Sequence, residues 1–124
     1  MANGEKVPPA DMEMCIGLDS LFDQVMVIGE GRPYLSVLVV LNPLVSEQLS
    51  FDPDDAGADQ ETRLIKRISA HLDSFPGYAR VRRVGIVKKP WSIENGLITP
   101  TMKTRRQQIM KQYDTLIQSL YEGH

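Results

Sequence analysis

Lys103 stands in the stretch WSIENGLITPTMKTRR, residues 91–106, on a loop rich in glycine, proline and threonine that runs straight into a helical pattern. A lysine ammonium is a compact charge on a flexible four-carbon stem, so it can enter a cleft while its backbone stays outside. Gly96, Pro100 and the hydroxyls of Thr99 and Thr101 are turn-forming groups able to aim such a stem. Loops held by a rigid scaffold are where working side chains concentrate. The residues alone leave a second reading open: a solvated lysine in the first turn of a helix, where its charge mildly opposes the dipole.

The elements that would position this loop can be read from the chain in order. Pro8-Pro9 followed by ADMEMCIGLD predicts a helix entered through proline, with acids in its first turn and Met12, Cys15 and Ile16 toward a core. QVMVIG, residues 24–29, and YLSVLVVLN, residues 34–42, predict two strands joined by the Gly29-Glu30-Gly31-Arg32-Pro33 turn as an antiparallel hairpin. Leu64, Ile65, Ile68 and Leu72 fall at helical spacing over residues 59–72, with Asp59 as cap candidate and Phe75-Pro76-Gly77 as the stop. VRRVGIVKK, residues 81–89, predicts a further strand. After the lysine loop a last helix would carry Ile109, Tyr113, Leu116, Ile117 and Leu120 on its core face. That order makes a small α+β domain, a sheet of about three main strands plus a short hairpin, flanked by three helices.

Composition narrows the function classes. With 42% hydrophobic and 24% charged residues the 124-residue chain is ordinary globular material for one domain. No run approaches the roughly 18 to 20 apolar residues that span a bilayer, and no signal peptide is recognisable, so a cytoplasmic or peripherally membrane-bound protein is expected. The single Cys15 permits no intrachain disulfide and reads as a small buried hydrophobe. His71 on a polar helix face and His124 at the terminus suggest no chemistry, and residues 122–124 read as a tag remnant.

Charge is divided unevenly under a net of −2: residues 1–62 hold twelve acids and two bases, residues 63–124 twelve bases and four acids. Such asymmetry marks either an anion-binding face or two halves that neutralise each other on folding, and the second is preferred. Asp52, Asp54 and Asp55 before Gly57 imitate the start of a calcium loop. The fifth position is Ala56 and the twelfth Arg63, where oxygen ligands are required, so no metal site is expected and the acids are assigned to a solvated loop.

Glu94, Asn95, Gly96, Leu97, Thr99, Pro100, Thr101 and Lys103 together resemble the C-terminal lysine motif of the AMP-binding, adenylate-forming synthetases, in the form found in long-chain fatty-acid–CoA ligases. The wider superfamily more often has glycine just before the lysine, where this chain has Met102, which favours the long-chain acyl-CoA ligase branch. ANGEKVPPADMEMCI resembles the loop and helix that follow the hinge in the same family, with Asn3-Gly4-Glu5-Lys6 as the loop. Two motifs in the right order, with a strand pair between them, supply the context a motif needs.

The resemblance implies the mobile C-terminal domain of such a ligase over residues 1–121, truncated just after the hinge. It implies an enzyme that joins a long-chain fatty acid to ATP as an acyl-adenylate and then passes the acyl group to CoA. Lys103 takes the place of the adenylation lysine, with Gly96, Thr99, Pro100 and Thr101 positioning its loop. Asn3, Gly4 and Lys6 take the place of the loop that faces CoA after the domain rotates, Lys6 near the CoA phosphates. ATP, Mg2+ and CoA would belong to the full-length enzyme, its N-terminal domain would be the partner, and the isolated chain is expected to bind none of them stably and to make no acyl-CoA. The rival reading is a basic interaction or nucleic-acid-binding module using Arg80, Arg82, Arg83, Lys88, Lys89, Arg105 and Arg106. It lacks the aromatic-basic repeats on which single-strand readers stack bases, so no nucleic-acid partner is expected.

Overall fold

The central strand explains the architecture. LSVLVVL, residues Leu35–Leu41, is buried at every position, as an apolar run covered on both faces must be. In the computed structural model, which describes residues 9–75 and 77–122, this strand, β2, lies between β1 (Phe22–Ile28) and β3 (Val81–Ile86). β1 pairs with β2 antiparallel, as the hairpin reading expects, while β3 runs parallel to β2. A parallel neighbour needs a long crossover, supplied by helices α2 (Pro43–Gln48) and α3 (Ala58–His71).

Side chains of β2 alternate between two cores. Val37 and Val39 meet Met12 and Ile16 of helix α1 (Pro9–Gly17) and Leu64 and Ile68 of α3. Leu38 and Val40 face the other way, onto Trp91, Leu97 and Ile98 from the lysine loop and Ile109, Ile117 and Leu120 from helices α4 (Arg106–Gln112) and α5 (Asp114–Ser119). The α+β class therefore stands, with a three-stranded mixed sheet, and the expected short hairpin is a single antiparallel bridge, Ile98 to Thr104.

Five α-helices, not three, surround the sheet among the described residues. One addition is α2, whose signal was present: Asn42 accepts from Val45 N at 3.0 Å as N-cap, and Pro43 fits the first helical position. The other comes from a break in the last helix at Tyr113, whose backbone at φ −105°, ψ 26° ends α4; Asp114 then sits in the first turn of α5, where an acid suits the dipole. Ile109, Ile117 and Leu120 still reach the core, with Tyr113 and Leu116 only partly buried.

Smaller differences have local causes. The cap of α3 is Gly57, and Asp59 lies in the first turn. β3 stops at Ile86 rather than Lys89, because Lys88 and Lys89 are exposed and Pro90 has no N–H to donate. Cys15 is half-buried against the first core. The acids of residues 52–55 serve the loop itself: Asp52 Oδ1 accepts from Asp54 N, Asp55 Oδ1 from Gly57 N, and buried Gln60 bonds the backbone of Asp52 and Asp55.

Every ion pair between described residues joins an acid of the first half to a base of the second: Asp19 with Arg67 and His71, Glu61 with Arg83, Asp54 with Lys88, Glu13 with Arg106. The charge asymmetry thus reflects two halves that neutralise each other. Two of these pairs also blunt the sheet edges. Glu13 accepts from Val27 N at 2.7 Å while Arg106 donates to Val27 O at 2.8 Å, and Glu61 accepts from Val84 N at 2.9 Å. Edge strands left with free backbone groups invite mispairing.

Candidate active site

The lysine loop is built from nested turns. Gly96 adopts φ +80°, a left-handed conformation that costs glycine little. Asn95 fastens the first half: its Oδ1 accepts from Ser92 N and Leu97 N, and its Nδ2 donates to Pro90 O. Ile98 and Thr104 then pair across the loop, and Arg105 N donates to Leu97 O.

Residues 99–103 close this narrow structure at its tip. Met102 N donates to Thr99 O at 2.8 Å with Pro100 second in the turn, the position its fixed φ suits. Thr99 N donates to Lys103 O, Lys103 N donates to Thr99 Oγ1 at 3.0 Å, and Thr99 Oγ1 lies 3.1 Å from Thr101 Oγ1. The backbone of Lys103 is therefore bonded on both polar sides, while its exposed side chain enters no ion pair among the described residues. Lys103 precedes α4 rather than lying in its first turn.

Met102 sits at φ +66° with its side chain 73% exposed. A left-handed residue with a Cβ costs about 1–2 kcal/mol, and glycine would relieve that at an entropic cost of about 0.5–1 kcal/mol. Met102→Gly should therefore stabilise the domain by about 0.5–1 kcal/mol, read as a higher urea midpoint; a lower midpoint would mean the methionine packs against something.

Both ends of the loop are fastened to β1. At the front, Gln24 Nε2 donates to Trp91 O at 2.9 Å and Trp91 N donates to Gln24 Oε1 at 2.7 Å. At the back, Arg106 holds Glu13 and the carbonyl of Val27. Between loop and strand lies an open cleft of about 490 Å³, lined by Asp23, Gln24, Trp91, Glu94, Met102 and Thr104 among others.

Gly96, Thr99, Pro100, Thr101 and Lys103 thus come together on one exposed loop, whereas Asn3, Gly4 and Lys6 lie outside the described residues. The sequence reading missed Gln24 and the Glu13–Arg106 pair, whose partners are 67 and 93 residues away. It also passed over His71, whose Nε2 lies 2.8 Å from Oδ2 of buried Asp19. The described residues gather no cluster of three or more His, Cys, Asp or Glu side chains suited to a metal ion. No described helix is long and apolar enough to cross a membrane.

A family model described as AMP-binding enzyme C-terminal domain matches residues 1–124. Probable acyl-activating enzyme 16, chloroplastic, of Arabidopsis thaliana is 30% identical over 129 residues, covering 98% of this chain and 18% of the plant protein. Long-chain-fatty-acid–CoA ligase 5 of Rattus norvegicus is 30% identical over 134 residues, covering 99% of this chain and 20% of the rat protein. The solved A domain of carboxylic acid reductase from Segniliparus rugosus, in complex with AMP and a co-purified carboxylic acid, matches with a TM-score of 0.81 and 25% identity, over 98% of this chain and 19% of that one. The chain spans about a fifth of the length of these relatives.

Proposed function

The chain belongs to the AMP-binding enzyme C-terminal domains, the C-terminal domains of adenylate-forming enzymes, and from that premise we propose that it serves a long-chain fatty-acid–CoA ligase as the domain that supplies the adenylation lysine. The observation that carries this reading is an exposed Lys103 at the tip of a loop whose backbone is fixed by Thr99 and whose two ends are tied to β1.

In the first half-reaction a fatty-acid carboxylate oxygen attacks the α-phosphorus of ATP, the bond to the β-phosphate oxygen breaks, and pyrophosphate leaves. Negative charge builds on the oxygens around that phosphorus. A preorganised ammonium beside them stabilises the transition state more than the ground state; Lys103 acts as neither base nor nucleophile. In the second half-reaction the CoA thiolate attacks the acyl carbonyl carbon and AMP departs. Asn3, Gly4 and Lys6 would face the pantetheine and phosphates of CoA in that step, glycine allowing close backbone approach. ATP, fatty acid, Mg2+ and the acyl tunnel would be held by the N-terminal domain of the same enzyme.

The rat relative's name supports the long-chain acid and CoA. The likeness to a carboxylic acid reductase A domain favours a second reading, in which the adenylate is made in the same way but is not passed to CoA. A cytoplasmic setting is part of the proposal, although the plant relative carries chloroplastic in its name. The test is ATP–pyrophosphate exchange by the intact enzyme with fatty acids of stepped length, followed by addition of CoA. Exchange driven by long chains and a thioester on CoA addition are expected. Exchange without thioester would favour the second reading, and exchange indifferent to chain length would overturn the long-chain assignment.

A further inference from the structure

We propose that Gln24 is a positioning residue for Lys103, its amide clamping the backbone of Trp91 and so setting the direction in which the lysine loop leaves the sheet. This rests on the reading of Lys103 as the adenylation lysine. Gln24 meets both polar groups of Trp91, donating to its carbonyl at 2.9 Å and accepting from its N–H at 2.7 Å. A side-chain amide here reproduces a rung of a strand ladder where no strand is available.

The register of β1 is arranged to allow it. Phe22 pairs with Leu41 and Gln24 with Val40, leaving Asp23 as an extra residue in the strand. A one-residue slip moves a side chain to the opposite face, and bulges re-aim side chains in this way. Phe22 accordingly joins the core beneath α1 and α3, while Gln24, two positions on, bonds Trp91, which belongs to the opposite core. Without the extra residue Phe22 and Gln24 would share a face.

Among the described residues Gln24 alone bonds the backbone of Trp91, while Asn95 holds its neighbours through Pro90 O and Ser92 N. The last ladder bond after β3 is Val87 N to Val39 O, and Pro90 donates nothing. Trp91 is 4% exposed, yet its indole Nε1 finds no acceptor among the described residues, so the ring is located by packing and the clamp alone. Beyond it lies the cleft of about 490 Å³, open between the loop and β1. A pivot at Trp91 would swing the tip, and misplacement by about 1 Å can cost roughly 100-fold in rate.

The test uses the intact enzyme bearing Gln24→Ala, Gln24→Glu or Lys103→Ala. Gln24→Glu keeps an acceptor for Trp91 N but cannot donate to Trp91 O, so it holds half the clamp. Gln24→Ala is expected to lower kcat for ATP–pyrophosphate exchange about 10- to 100-fold, with KM for ATP and thioester formation from supplied acyl-adenylate nearly unchanged, and Gln24→Glu to fall between. Deuterium exchange over residues 91–104 should rise in the same order. Unchanged deuterium exchange in Gln24→Ala would overturn the clamp. Equal losses in both half-reactions, tracking the folded fraction, would show a merely structural role and overturn the proposal. A loosened loop with normal adenylation would also overturn it, and Lys103→Ala then separates the causes: a severe defect there leaves the lysine reading intact, and none means that reading failed first.

Discussion

Lys103→Ala in the intact enzyme is expected to slow ATP–pyrophosphate exchange by about 10²- to 10³-fold, the loss that follows removal of one preorganised donor from a developing oxyanion. Formation of the thioester from supplied acyl-adenylate should be largely spared, because on this reading the domain rotates after adenylation and withdraws the lysine before CoA attacks. The substitution is clean on structural grounds: both backbone bonds of Lys103 survive in alanine, and the exposed side chain enters no ion pair among the described residues. Thermal stability should therefore stay close to wild type, which separates a chemical defect from a folding one. A bulky replacement at Gly4 is expected to reverse the pattern, sparing exchange and slowing thioester formation. Equal damage to both steps from either change would count against one domain presenting two faces in turn.

The contrast between Lys103 and Gln24 shows where legibility stops. Lys103 lies among turn residues whose preferences are local: proline second in a turn, glycine at positive φ, a threonine hydroxyl bonding a backbone N–H four residues on. The hairpin and α3 were legible for the same reason, since apolar periodicity and turn chemistry operate over a few residues. Gln24 has no such signature. Its role depends on an unpaired Asp23 in the strand and on a partner 67 residues away, and a glutamine on a half-buried strand looks like any polar residue until the register is known. Glu13 and Arg106, which secure the other end of the loop, are 93 residues apart. The charge imbalance between halves was visible and correctly read as self-neutralising, but it could not say which acid meets which base. The break at Tyr113 was hidden because Ile109, Ile117 and Leu120 satisfy helical spacing whether or not the helix is continuous.

Asp19→Ala should be strongly destabilising, by about 3–5 kcal/mol, the scale of leaving a buried pair without one partner. Asp19 follows α1 and has a side chain only 4% exposed. Oδ1 accepts from Leu21 N at 3.0 Å and Arg67 Nη2 at 3.0 Å, and Oδ2 accepts from Arg67 Nε at 2.6 Å with His71 Nε2 at 2.8 Å. One carboxylate therefore joins the exit of α1, the entry to β1 and the last turns of α3. Arg67 is itself 36% exposed, so solvent screens its side of the pair and places the cost toward the lower end of that range. Burial alone would raise the pKa of Asp19, but the Arg67 bonds, the Leu21 N–H and His71 outweigh it and hold the group at about 2, below its ordinary 3.8. Because the folded value is depressed, the contribution is fully present above 3.8 and is lost as pH falls through about 2. Urea midpoints taken from pH 5 downward should fall in the wild type across that window, and Asp19→Asn, which keeps size and an acceptor for Leu21 N, should start lower and lose that part of the slope. Parallel slopes in the two proteins would mean that the acid sensitivity resides in other carboxylates, and that Asp19 holds these elements by hydrogen bonding whatever its charge.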